Sequence, residues 1–222
     1  RAILDVAGAI GPRLRGVHAY EGHLHGPFPE RGAALDRVFA ELAALLDGLA
    51  QSGVPVDEVV TSGTPAFRHV LERDPLAGAA GSPVHRVSPG TVVLHDLRSE
   101  LENPELGLEP AAVVLARVVS LPGRARVTVD AGSKAIAAEA GDPVAVVLGR
   151  PDLVGAPCNE EHLPLDALGE GTLPEIGSLL ELVPRHVCPT VNLHEVALGL
   201  DGDAWREIEI VARAHAPLPT SS

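Results

Sequence analysis

The strongest constraint on the fold is an apolar stripe at helical spacing in residues 31–52. Seven apolar residues lie on this stripe: Leu35, Val38, Phe39, Leu42, Leu45, Leu46 and Leu49. A stripe of this kind predicts an amphipathic helix with one buried face. Gly53 follows at the position where a helix C-cap is expected. The segment therefore predicts one long helix packed against a second apolar surface.

Short strand-like segments supply that surface. They lie at residues 14–19, 57–61 and 84–87, with a second, short helix near 66–73. Because helices alternate with strands, the first 90 residues predict a parallel sheet of the β/α kind. In such folds functional groups gather at the loops that follow the strands.

All three loops after these strands carry glycine, hydroxyl or imidazole groups. His18, Tyr20, His23 and His25 cluster at the end of the first strand, Ser62-Gly63-Thr64 follows the second, and Gly90-Thr91 follows the third. Small residues let backbone N–H groups approach an anion, and histidine is the usual acid, base or metal ligand near neutral pH. Ordinary tight turns and a solvated histidine loop are the alternative interpretation.

The sequence pattern changes after residue 90. Strand-like segments separated by Gly and Pro turns lie at 91–96, 111–120, 125–130, 144–148, 179–183 and 207–212. They predict a mostly antiparallel β domain or barrel. We therefore expect two domains, residues 1–89 and 90–222.

A candidate metal pair lies in the second domain. His186 and Cys188 are two residues apart between Pro184 and Pro189, so in an extended segment both side chains lie on one face. Imidazole and thiolate suit zinc or a similar cation, and only two local ligands would leave the open coordination sphere of a catalytic site. A lone His-x-Cys pair also occurs in proteins without metal.

Two other polar groups have alternative readings. Glu161 and His162 would supply a base near the metal, or they form part of the surface. Lys134 is the sole lysine of the chain and hence its sole candidate for a Schiff base; a buried or paired structural lysine is the commoner interpretation.

Composition excludes several classes of function. The net charge of −13 and the absence of a basic, aromatic-rich stripe argue against a nucleic-acid partner. No apolar run reaches the roughly 18–20 residues of a membrane span. Two cysteines form no disulfide framework, and we expect a cytoplasmic protein. The chain begins at Arg1, inside a segment that reads as a helix, so we expect it to be part of a longer protein.

Six stretches in this order resemble the D-threonine aldolase family of pyridoxal-phosphate proteins, which is related to D-serine dehydratase and alanine racemase. They are Gly16–His25, Val60–Phe67, Ser88–Asp96, Val129–Ala135, Asn159–His162 and Pro184–Thr190. The resemblance implies an α/β barrel remnant plus a β domain: the last three β/α units of a pyridoxal-phosphate-binding (β/α)8 barrel, followed by a mostly antiparallel β domain.

The resemblance also implies roles for the residues above. His18, Tyr20, Ser62, Gly63, Thr64, Gly90 and Thr91 would contact pyridoxal 5'-phosphate. His186 and Cys188 would hold a divalent metal (Zn, or Mn, Mg or Co), and the catalytic candidates are His25, His23 and His162. A homodimer is expected, because such sites usually borrow residues from the partner.

The implied function is a lyase acting on D-β-hydroxy amino acids, by retro-aldol cleavage of D-threonine-type or dehydration of D-serine-type substrates. The family places its Schiff-base lysine in a region that this sequence does not contain, and Lys134 matches a different position. The alternative is therefore a catalytically inactive fragment or a metal-binding β module.

Overall fold

The computed structural model describes residues 2–26, 30–169 and 171–213. Its contacts divide the chain into two compact units. Unit 1 contains residues 1–93 and 99–108, and unit 2 contains residues 94–98 and 109–222. Among the described residues, no helix is both long and apolar enough to cross a membrane.

Unit 1 is built on a three-stranded parallel sheet. Its strands are β1 (Gly16–His18), β2 (Glu58–Thr61) and β3 (Val84–Val87), in the order β1-β2-β3. The helices are α1 (Ala2–Ile10), α2 (Glu30–Gln51), α3 (Phe67–Arg73) and α4 (Leu97–Glu102), of which α4 begins in residues assigned to unit 2. The parallel β/α pattern predicted for the first 90 residues is confirmed.

The predicted stripe of α2 forms the core of unit 1. Leu35, Phe39, Leu42 and Leu46 are buried and belong to one cluster with Val59 of β2. Val38 and Leu45, at the margins of the stripe, are half-buried. Burying each such side chain contributes roughly 1.5–3 kcal/mol, which makes this face the main reason for α2 to form. The helix therefore fixes the position of the sheet whose strand ends carry the candidate residues.

Unit 2 contains a six-stranded antiparallel sheet in the order β6-β9-β4-β5-β8-β7. Its strands are β4 (Val114–Ser120), β5 (Arg126–Val129), β6 (Ala145–Val147), β7 (Leu153–Gly155), β8 (Leu163–Ala167) and β9 (Leu179–Pro184). The two edge strands approach each other, since a Cβ on Gly155 would lie 3.2 Å from the carbonyl oxygen of Ala145. The sheet is therefore nearly closed, with alternate strand residues inside.

After β9 come α5 (Val187–Val191) and a hairpin of β10 (Val196–Asp201) and β11 (Ala204–Glu209). Sequence reasoning missed β7, β8 and β10, and it placed the last strand at 207–212. The predicted strand at 91–96 is wrong. Thr91–Val93 is a 3-10 helix, and His95 has φ 59, which ends any extended path. β-Branched residues suggested the strand, but no described strand forms a ladder with this segment.

Candidate functional site

The three parallel strands of unit 1 end at one edge of the sheet. The N–H of Ala19 donates to the carbonyl of Val60, and the N–H of Ser88 donates to the carbonyls of Thr61 and Ser62, at 3.0 Å in each case. These bonds continue the sheet just past the strands. The loops that carry the predicted cofactor residues therefore leave the sheet side by side, as the alternation of helices and strands predicted.

Ser62 has an unusual backbone at the end of β2. Its φ is 60, in the left-handed region, and the residue is fully buried. Such a conformation costs about 1–3 kcal/mol in a residue other than glycine and is found preferentially at functional loops. Its hydroxyl lies 3.1 Å from that of Thr61, which lies 2.8 Å from Nε2 of His85. The Ser62 side chain is therefore engaged inside the protein.

Thr64 is the clearest sign of a polar ligand at this edge. The residue is 4% exposed, and its hydroxyl is buried without a hydrogen-bond partner among the described residues. A buried polar group left in this state costs about 1–3 kcal/mol, so natural proteins rarely retain one without a use. The hydroxyl fits a site that receives an oxyanion.

Tyr20 lies over the same loop. A Cβ on Gly63 would lie 2.9 Å from Cε2 of the Tyr20 ring and 3.4 Å from its hydroxyl oxygen. The ring itself is 65% exposed. Glycine at position 63 therefore lets the tyrosine pack against the backbone.

Gly90 and Thr91 follow β3. A Cβ on Gly90 would meet no atom within 4 Å, and the residue does not have positive φ. Folding of the described residues therefore does not demand glycine at this position. Thr91 is half-buried and begins the 3-10 helix.

The histidines after β1 differ in their surroundings. His18, the last residue of β1, is exposed, and so is His23. His25 lies with Nδ1 3.4 Å from a carboxylate oxygen of Glu102, and its side chain is 43% exposed whereas that of Glu102 is 11% exposed. An imidazole with a buried carboxylate behind it is a common arrangement for acid–base chemistry.

A buried arginine that sequence reasoning missed joins this group. The side chain of Arg31 has no exposed surface and lies 3.8 Å from the Glu102 carboxylate. It donates to the carbonyl of Gly26 at 2.7 Å, the carbonyl of Glu102 at 3.1 Å and Oδ1 of Asn103 at 2.5 Å. Burial lowers the pKa of Arg31, and the Glu102 charge opposes that effect. The sequence feature that could have identified Arg31 is its position within the first turn of an amphipathic helix.

In unit 2, His186 and Cys188 lie at the start of α5. His186 is extended, with φ −135 and ψ 109, and the helix begins at Val187, whose N–H donates to a carboxylate oxygen of Asp96 at 2.9 Å. An extended segment, the condition under which the two side chains were predicted to share a face, is therefore present at His186 but not at Cys188, because Asp96 caps a helix there. The two side chains nevertheless interact by a hydrogen bond.

Glu139 completes the surroundings of His186. One of its carboxylate oxygens lies 2.5 Å from Nδ1 of His186. The pKa of His186 is raised, and the hydrogen bond with Cys188 is the largest cause. Burial lowers this pKa, whereas the hydrogen bond with Glu139 raises it. No group of three or more His, Cys, Asp or Glu side chains in the described part of the chain is arranged to hold a metal ion. The pair fits a borderline cation that takes its other ligands elsewhere.

Lys134 and His162 have surface positions in unit 2. Nζ of Lys134 lies 2.7 Å from a carboxylate oxygen of Glu161 and 3.1 Å from one of Glu160. Both hydrogen bonds raise the pKa of Lys134, and the one with Glu161 has the larger effect. His162 is exposed, and its backbone N–H donates to Oδ1 of Asn159 at 2.7 Å. Lys134 is therefore an exposed cation paired with two carboxylates, and its surroundings are those of a structural lysine rather than of a Schiff base.

Comparison with known proteins confirms the resemblance seen in the sequence. Residues 111–200 match the family model described as a putative serine dehydratase domain. A D-threonine aldolase from Arthrobacter sp is 34% identical over 212 residues, which are 91% of this chain and 52% of that protein. A 3-hydroxy-D-aspartate aldolase from Paracoccus denitrificans is 27% identical over 206 residues, 90% of this chain and 52% of that protein.

Among solved structures, D-threonine aldolase from Filomicrobium marinum superposes with a TM-score of 0.80 at 26% identity. The match covers 93% of this chain and 56% of that one. The predicted fold class is thereby confirmed. The chain spans about half the length of the curated relatives it matches.

Proposed function

We propose that this chain is part of a pyridoxal-phosphate- and divalent-metal-dependent lyase that acts on D-β-hydroxy amino acids. The observation that carries the proposal is the buried, unpartnered hydroxyl of Thr64 at the edge where three parallel strands end. The relatives support the same chemistry, since they are named as aldolases of D-threonine and of 3-hydroxy-D-aspartate.

The cofactor phosphate would lie at the loops after β2 and β3. Thr64 would donate its hydroxyl hydrogen, and the backbone at Ser62, Gly63, Gly90 and Thr91 would approach the phosphate oxygens. When bound, the cofactor supplies an electron sink for bond cleavage next to the amino group. Tyr20 and His18, at the end of the first strand, would contact the pyridine ring of the cofactor.

The divalent metal would be held by His186 and Cys188. Glu139 supports this, because a carboxylate on Nδ1 orients the imidazole and leaves Nε2 for the ion, as in many metal sites. When bound, such an ion supplies a Lewis acid for the substrate β-hydroxyl. Zinc suits the imidazole–thiol pair best, with manganese, magnesium or cobalt as alternatives.

His25 would accept the proton of the β-hydroxyl in retro-aldol cleavage; His23 and His162 are the other candidates. Loss of hydroxide instead would give β-elimination. Both relatives named above are aldolases, which favours cleavage to glycine and an aldehyde.

The test is an assay of the gene product that contains this chain, on D-threonine and D-serine, with and without a chelator. Glycine and an aldehyde, formed only while metal is bound, are the expected products. Turnover that a chelator leaves unchanged would remove the metal from the mechanism, and no turnover of any D-β-hydroxy amino acid would overturn the proposal.

The second candidate, a non-catalytic metal-binding β module, rests on Lys134. This single lysine is exposed and paired with two glutamates. A Schiff base would therefore need a lysine from outside this sequence. A homodimer, in which the partner completes the site, is part of the leading proposal, and the mass of the gene product in solution tests it.

A further inference from the structure

The loop after β1 contains two histidines with different neighbours. His23 is exposed and has no hydrogen bond or ion pair with any described residue. His25 has the Glu102 carboxylate 3.4 Å from its Nδ1. The sequence does not separate the two, because they lie two residues apart in one motif. Their surroundings do separate them.

Glu102 is held in place from behind. The fully buried guanidinium of Arg31 lies 3.8 Å from its carboxylate and donates to its backbone carbonyl at 3.1 Å. Arg31 also donates to Oδ1 of Asn103 and to the carbonyl of Gly26, the residue after His25. One arginine thus fixes both the carboxylate and the loop that carries the histidine.

A carboxylate at Nδ1 determines which ring nitrogen carries the proton. A neutral imidazole has a single N–H, at Nδ1 or at Nε2, and the other nitrogen is an acceptor. A carboxylate oxygen of Glu102 lies 3.4 Å from Nδ1, which favours the tautomer with its proton at Nδ1 and a lone pair at Nε2. Because the His25 side chain is 43% exposed, that nitrogen is within reach of a small molecule.

We propose that Glu102, fixed by Arg31, is a positioning residue that holds His25 in the Nδ1–H tautomer and so makes His25, not His23, the base. The inference rests on the proposed lyase function. In the step concerned, the substrate O–H bond breaks, its electron pair stays on oxygen, and Nε2 of His25 takes the proton. The Glu102 carboxylate lies 3.4 Å from Nδ1 of the ring that takes this proton.

The first experiment reads the tautomer directly, in the gene product that contains this chain and without added cofactor. Ring ¹⁵N shifts of His25 at alkaline pH are expected to show Nδ1–H in the wild type. Glu102→Met removes the acceptor, and the shifts should move toward Nε2–H. Because that variant removes the carboxylate 3.8 Å from Arg31, the double variant Arg31→Met/Glu102→Met is measured as well; it removes both charges together and should fold.

Glu105→Met is the matched control. Glu105 lies three residues further along, pairs with Arg68 at 3.2 Å and is 42% exposed. Its loss should leave the His25 tautomer unchanged. An Nε2–H signal in the wild type, or an Nδ1–H signal that persists without Glu102, would overturn the proposal.

The second experiment measures kinetics in the gene product. Loss of Glu102 should lower kcat about 10- to 100-fold with KM changed less than about threefold, since general-base catalysis contributes in that range. Glu102→Asp should recover part of the loss, and His23→Gln should retain more activity than His25→Gln. An inactive wild type would defeat the proposed function alone, because the tautomer result stands independently. An active enzyme indifferent to Glu102 would overturn this inference alone.

Discussion

Replacing Arg31 by methionine should destabilise unit 1 far more than removing an exposed arginine. The Arg31 side chain has no exposed surface, and three of its hydrogen bonds, to Gly26, Glu102 and Asn103, measure 2.5–3.1 Å. Methionine fills a similar volume but provides no donor. The Glu102 carboxylate, 11% exposed, would lose the guanidinium that lies 3.8 Å from it.

The size of the effect follows from this burial. Removing one partner of a buried ion pair costs about 3–5 kcal/mol, because the other charge stays buried without compensation. Arg73→Met is the matched control: Arg73 pairs with Asp36 at 3.2 Å, but the two side chains are 58% and 49% exposed. Exposed pairs contribute only about 0–1 kcal/mol.

The assay is urea denaturation of both variants, followed by circular dichroism, with hydrogen exchange of residues 16–26 as the local readout. For Arg31→Met we expect the urea midpoint to fall by an amount that corresponds to about 3–5 kcal/mol in the free energy of unfolding. Hydrogen exchange in this loop should become faster. The double variant Arg31→Met/Glu102→Met should recover much of the loss. Equal effects of the two single variants would refute the reasoning, since the buried network would then contribute no more than a surface pair.

Three further outcomes are expected. Gly132→Ala should destabilise unit 2 by about 1–3 kcal/mol, because its Cβ would meet the backbone of residues 159–160; Gly123→Ala, with open space around it, should change the urea midpoint little. Burial lowers the pKa of His69, so unit 1 should lose stability as pH falls below about 6.5; a flat urea midpoint between pH 7 and 5 would contradict this. Gly63→Ala should displace Tyr20 and weaken pyridoxal-phosphate binding several-fold in a fluorescence titration, and unchanged affinity would speak against a cofactor at this loop.

Periodicity and turn residues predicted unit 1 well. Both α2 and β3 lie close to the predicted bounds. The helix buries an apolar stripe that a local pattern reveals, and in β3 half-buried His85 and Val87 alternate with exposed Val84 and Arg86. In unit 2 the signal is weaker. β8 contains Pro164 between buried Leu163 and Leu165, and Asp166 after them, so two of its five residues argue against a strand.

The hairpin strand β10 was missed for a different reason. Almost all of its residues are exposed, so no buried face produced a pattern, and its register is fixed by pairing with β11. Long-range partners were equally invisible in the sequence. Glu102 reaches His25 across 77 positions of the chain, and Glu139 reaches His186 across 47. Motifs locate a histidine, but only the fold supplies the carboxylate that orients it.

The central claim, a catalytic metal on His186 and Cys188, is tested most directly by cobalt(II) spectroscopy of the gene product. We predict a cobalt–thiolate charge-transfer band in the wild type that disappears in Cys188→Ser together with lyase activity. Cys158→Ser is the control: Cys158 is half-buried, and burial raises the pKa of its thiol, so it should not supply the ligand. A band that survives Cys188→Ser, or is lost with Cys158→Ser, would contradict the account.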